Sequence, residues 1–179
     1  MSGTLIQIAG MPRSGTAFLA AFLSLHPKCV SNHELAATDP NWKETLRDQL
    51  ERWDFVVDST TYGWLPKATI EGSKRIGLTR SCAECAPDAT EAFLYEVSYE
   101  QMVFCRDKVD GWSNGHYSRN YKKMFNVDPL KDIWRHCFGS DEWFSEEKTK
   151  LFISLNIQRN RPWEVFSQNN CQRTLEKLL

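Results

Sequence analysis

At 179 residues, with 41% apolar residues, ten Phe and seven Trp, the chain is long enough to bury a core and too apolar for disorder. No Pro/Gly/Ser-rich linker divides it, so one domain over 1–179 is expected. A net charge of −1 offers no overall field for gathering nucleic acid or an anionic membrane, and no apolar run nears the ~20 residues that span a bilayer.

The first residues lack the basic start and cleavage pattern of an export signal, so the expected location is cytoplasmic. Leu5–Ala9 reads as a short apolar strand. Gly10-Met11-Pro12-Arg13-Ser14-Gly15-Thr16 then breaks the pattern. Beyond it Phe18, Leu19, Phe22 and Leu23 recur at helical spacing, while Ala17, Ala20 and Ala21 allow close approach to a sheet. This helix is predicted to stop near His26-Pro27, because proline disfavours helical backbone in its predecessor. Cys29–Ser31 returns as an extended segment leading into Asn32-His33-Glu34.

Leu46, Leu50 and Trp53 mark a second amphipathic helix, and Phe55–Asp58 a strand that runs into Ser59-Thr60-Thr61. Ile76–Thr79 is another strand, terminated by Arg80. A helix is expected from Ala83 to Leu94, with Pro87 weakening its first turns. Gln101–Cys105 is predicted as a further strand, ending on Arg106. Residues 128–179 are expected as a helical extension: Leu130, Ile133, Trp134 and Cys137 share one face, and Leu151, Phe152 and Leu155 another, before the polar Ser167–Arg173 and a short last helix. Strands alternating with helices predict a three-layer α/β domain with a mostly parallel sheet, whose ligands gather beyond the C-terminal strand ends.

Six cysteines are spread without a disulfide framework, and Cys82-Ala-Glu-Cys85 has no second pair at zinc spacing, so buried thiols are expected and no metal. The turn after the first strand carries the chemistry. Gly10 and Gly15 permit unusual backbone states and Pro12 fixes one dihedral, so successive N–H groups from Arg13 to Thr16 are predicted to face an anion at a helix N-terminus. Arg13 adds a forked cation and Thr16 or Ser14 a hydroxyl. The turn is not G-x-x-x-x-G-K-[ST], which argues against conventional ATP hydrolysis.

Pro12-Arg13-Ser14-Gly15-Thr16, followed by an amphipathic helix and His26-Pro27, resembles the 5′-phosphosulfate loop of the sulfotransferases that use 3′-phosphoadenosine 5′-phosphosulfate (PAPS). The resemblance extends to the short bacterial and phage branch of that family. It implies a P-loop-related fold in which Pro12, Arg13, Ser14, Gly15, Thr16 and Ala17 hold the 5′-phosphate end. It further implies that Glu34 is the general base, with His33 as its competitor or helper, and that the acceptor is a small molecule, carbohydrate or peptide carrying a hydroxyl or amine.

The family also reads the donor's 3′-phosphate with a strand-end arginine and a serine eight residues later. Arg80 matches the first, but position 88 is Asp, and an ionised carboxylate would repel a phosphate. Ser81, Thr90 or a shifted helix are the substitutes open for the hydroxyl, a donor without a 3′-phosphate is the alternative, and Arg106 with Ser113 is the rival pair. Trp42, Trp64, Trp112 and Trp163 are candidates for an apolar acceptor pocket. Two other readings stay open: a nucleotide-dependent phosphotransferase on a related fold, and a non-catalytic nucleotide-binding protein that keeps only the cradle.

Overall fold

A computed structural model of the chain describes residues 3–114 and 116–154. In chain order it contains β1 (Thr4–Gly10), α1 (Thr16–Leu23), β2 (Cys29–His33), α2 (Leu35–Thr38), α3 (Trp42–Arg52), β3 (Phe55–Thr60) and β4 (Lys74–Thr79). There follow α4 (Cys82–Phe93), α5 (Tyr99–Trp112), β5 (Tyr117–Asn120), α6 (Tyr121–Met124), α7 (Val127–Phe138) and α8 (Glu146–Ser154).

The five strands form one parallel sheet in the order β2-β3-β1-β4-β5. β1 lies at its centre, with Ile6 opposite Val57 on one side and Lys74 on the other. Its run of apolar residues follows from burial on both faces. Ile6, Ile8, Val57, Ile76 and Leu78 point to one face, where they pack with Phe18 and Phe22 of α1, Trp134 of α7 and Phe152 of α8. Leu5, Val30 and Val56 point to the other, against Leu46 and Leu50 of α3. α5 covers the same second face beside β4, where Gly77 meets Ser113 and Val109. The architecture is therefore three-layered α/β.

Four local expectations change. α1 ends at Leu23, and the chain reaches Pro27 through tight turns in which Leu25 N–H donates to Phe22 and His26 N–H to Leu23. His26 is then fixed in the core, stacked on Phe138 at 4.2 Å. α4 runs unbroken through Pro87, which costs it one backbone hydrogen bond. Gln101–Cys105 is not a strand but part of α5. Ser98 and Gln101 form a reciprocal capping box that starts the helix and overrides the β-like Met102-Val103-Phe104 run. The missing sheet edge is supplied by the short, polar β5.

The expected helical extension is present as α7 and α8; Leu155, Trp163, Cys171, the Ser167–Arg173 stretch and the last helix lie outside the described residues. Among the described residues no helix is long and apolar enough to cross a membrane, and no group of three or more His, Cys, Asp or Glu is placed to hold a metal ion.

Candidate active site

Because all strands are parallel, the residues that follow Gly10, His33, Thr60 and Thr79 emerge at one edge of the sheet. Between β1 and α1 the chain folds into a tight loop with Arg13 at φ 62° and Gly15 at φ 91°. A side chain at Gly15 would be strained by that dihedral and would press on Tyr121 and Met124 of α6. The first i→i−4 bond of α1 is Leu19 N–H to Gly15 C=O, so the amides of Thr16, Ala17 and Phe18 are left without helical acceptors by position. One expected donor is not available: Ser14 N–H is turned inward to Met11 C=O at 3.1 Å. The Ser14 hydroxyl, by contrast, is buried and has no hydrogen-bond partner among the described residues. Arg13 is exposed, and no carboxylate among the described residues is paired with it.

On the β3 side of the loop, a chain of polar groups leads away from α1. Thr16 Oγ1 lies 3.3 Å from His33 Nε2, which lies 3.7 Å from Glu34 Oε1. The same carboxylate oxygen accepts hydrogen bonds from Thr61 N–H at 2.8 Å and Thr61 Oγ1 at 2.6 Å. Glu34 adopts a left-handed backbone, φ 57°, an uncommon state for a non-glycine residue that turns the chain from β2 into α2. Burial pushes the His33 imidazole below its ordinary value, with Glu34 opposing, so a neutral ring is favoured. Thr61 was visible in the sequence only as one of three strand-end hydroxyls.

Asp58, inside β3, is a further buried carboxylate that sequence reasoning read only as a strand-end acid. Burial raises it to about 6, against the hydrogen bond from Gln7 and with the charge of Glu34 adding to the rise. Its oxygens accept from Gln7 Nε2 and Thr60 Oγ1, both at 3.4 Å.

On the β4 side stands Arg80, where the sequence predicted it. Its Nη1 donates to Arg13 C=O at 3.2 Å and reaches Asp88 Oδ2 at 2.6 Å. Its guanidinium lies over the Tyr121 ring, 5.0 Å from the centroid. Glu84 approaches Nε at 4.0 Å and is itself paired with Lys122. The rival Arg106 lies within α5, half-buried and paired with Asp107, while Ser113 is buried against Gly77; the two do not form a strand-end pair. Thr90 is occupied by Val97 N–H at 2.9 Å.

Beneath the loop, Cys85 Sγ donates to Pro12 C=O at 2.6 Å, and burial raises this thiol to about 11. Of the Cys82/Cys85 pair, one thiol thus braces the loop in its protonated form. Beside Pro12 opens a cavity of about 420 Å³, walled by Tyr62, Trp64, Tyr95, Met102 and Phe104, with Glu100 also on its lining. Of the tryptophans proposed for such a pocket, Trp64 lines it. Trp112 instead donates to Thr69 Oγ1, and Trp42 packs with the α3 cluster. Burial raises the Tyr62 phenol above its ordinary value, and Tyr95, Cys105 and Glu34 add to the rise.

A search of curated proteins finds no match. Among solved structures, the fold is similar to the sulfotransferase domain from the Synechococcus PCC 7002 olefin synthase, at TM-score 0.57 and 13% identity over 90% of this chain and 85% of that one. The sulfotransferase family model matches residues 6–134, a span that takes in the loop, Glu34 and Arg80. With that match over most of its length, the chain belongs to the sulfotransferase family.

Proposed function

We propose that the protein transfers a sulfuryl group from PAPS to a hydroxyl or amine of an acceptor seated in the aromatic cavity. The observation that carries this reading is the polar chain from Thr16 through His33 to Glu34, which ties the anion loop to a carboxylate 18% exposed at the side chain. Family membership supports the reaction class.

When bound, the donor supplies a sulfur–oxygen bond to phosphate that breaks as a new bond forms from sulfur to the acceptor oxygen or nitrogen. The Ser14 hydroxyl, without a partner among the described residues, and the α1 amides of Thr16 and Ala17 fit a phosphate, and they would hold the negative charge left on it. Arg13 adds a solvent-exposed cation.

Glu34 takes the acceptor's proton. Thr61 fixes Oε1 with two hydrogen bonds, leaving Oε2 to receive it. His33 keeps Thr16 and Glu34 in register as a neutral imidazole. Aromatic walls favour an acceptor with an apolar, preferably planar body, and the carboxylate of Glu100 disfavours an anionic one.

The test is Glu34→Gln. Turnover is expected to fall by about 10²–10⁴-fold while the affinity for 3′-phosphoadenosine 5′-phosphate stays within about twofold of wild type. Unchanged turnover removes Glu34 as the base. Donor binding without transfer to any of a panel of phenols, alcohols and amines would instead favour the non-catalytic reading.

A further inference from the structure

Arg80 is the guanidinium that touches the anion loop, through the Arg13 carbonyl, on the side away from Glu34. A ligand held on the loop by one phosphate and carrying a second on the β4 side meets this cation first. Its charge is already answered. Asp88 sits on the same Nη1 at 2.6 Å, Glu84 stands at 4.0 Å from Nε, and the ring of Tyr121 covers one face. The side chain of Arg80 is 15% exposed, and that of Asp88, 42%. Arg80 and Lys122 together balance Glu84 and Asp88, leaving these four groups with no net charge.

We infer that Asp88 is a specificity-determining residue: by occupying Arg80 it cancels the advantage that a second phosphate would give a nucleotide bound at the loop. Arg80 keeps an Nε–H with no hydrogen-bond partner among the described residues, but its charge is offset by Asp88 and Glu84, and a dianion placed near those carboxylates is repelled by both. The inference rests on the reading of the loop as a nucleotide-phosphate site. Asp88 also holds Arg80 on the Arg13 carbonyl, so the pair braces the loop while withholding the cation.

The test is calorimetric titration of the full chain with adenosine 3′,5′-bisphosphate and with adenosine 5′-monophosphate. Wild type is expected to bind the two within about threefold of each other, and Asp88→Ser and Asp88→Asn each to favour the bisphosphate by about tenfold or more. Asp88→Asn keeps the side-chain shape and removes the charge, so it separates electrostatics from packing. Adding Arg80→Ala to Asp88→Ser should return the preference to its wild-type level.

A wild-type preference for the bisphosphate above about tenfold, unchanged in both variants, overturns the inference. So does a preference that stays flat in both. Either result leaves the nucleotide site standing. If neither nucleotide binds wild type or any variant, the nucleotide reading of the loop fails, and this inference with it.

Discussion

Asp58 shows what a single side chain can do to this fold. It is buried in β3, and its carboxyl is raised from 3.8 to about 6 by loss of water. The folded chain therefore holds this proton more tightly than the unfolded chain does. Asp58 contributes its full stabilisation below about pH 4 and loses it as the pH rises through about 6, a span worth roughly 3 kcal/mol. Asp58→Asn is expected to abolish this group's share of the stability lost between about pH 4 and about pH 7.5, as read from urea unfolding at the two pH values. The candidate site residues were legible from residue type and order alone: Arg13, Ser14 and Thr16 at a strand–turn–helix, and Glu34 after the next strand. What residue order could not convey was pairing across the fold, such as Thr61 on Glu34 and Asp88 on Arg80, because those partners are brought together by the sheet.

The elements owe their positions to a few close approaches. α5 lies on β4 only because residue 77 has no side chain: a Cβ there would come within 2.7 Å of Ser113 Cβ and 3.2 Å of Val109 Cγ1. Gly77→Ala is expected to cost about 1–3 kcal/mol by forcing α5 outward, measurable as a lower denaturation midpoint. Gly15→Ala faces both its left-handed backbone and the side chains of α6, with Met124 Cε at 2.7 Å. It is expected to destabilise by about 1–2 kcal/mol and to weaken binding of 3′-phosphoadenosine 5′-phosphate as the loop shifts. At this scale the sequence misled in α5, where four apolar residues in a row resemble a strand. The decisive signal was the Ser98-to-Gln101 spacing. β5 escaped notice because Tyr117–Asn120 has no apolar alternation; its place at the edge of the sheet supplies the hydrogen bonds that its composition does not announce.

Across the whole molecule, exposed apolar surface is uneven. Of the seven large exposed hydrophobic residues among the described ones, Tyr62, Tyr95 and Phe104 line the cavity beside Pro12, and Leu94 and Tyr99 are chain neighbours of its lining residues. Such a patch fits an acceptor with an apolar body. Trp64→Ala is expected to raise KM for a phenolic acceptor by about tenfold with kcat changed less, the mark of lost ground-state contact. A comparable loss in kcat would instead assign Trp64 to the transferring geometry. The alternation of strands and helices made the α/β class readable in advance, whereas the sheet order did not follow from it, since β1 pairs with β3 and β4 rather than with the next strand along. That central position bears on how the chain is made. The loop at residues 11–15 leaves the ribosome early, but its flanking strands end at Thr60 and Thr79, and the Tyr121 and Met124 that rest on Gly15 come later still. A nascent chain stalled before α6 carries the segment without its cover, so a loop held in its final shape becomes a property of late synthesis, and prematurely terminated products lack it however soundly their first helix has formed.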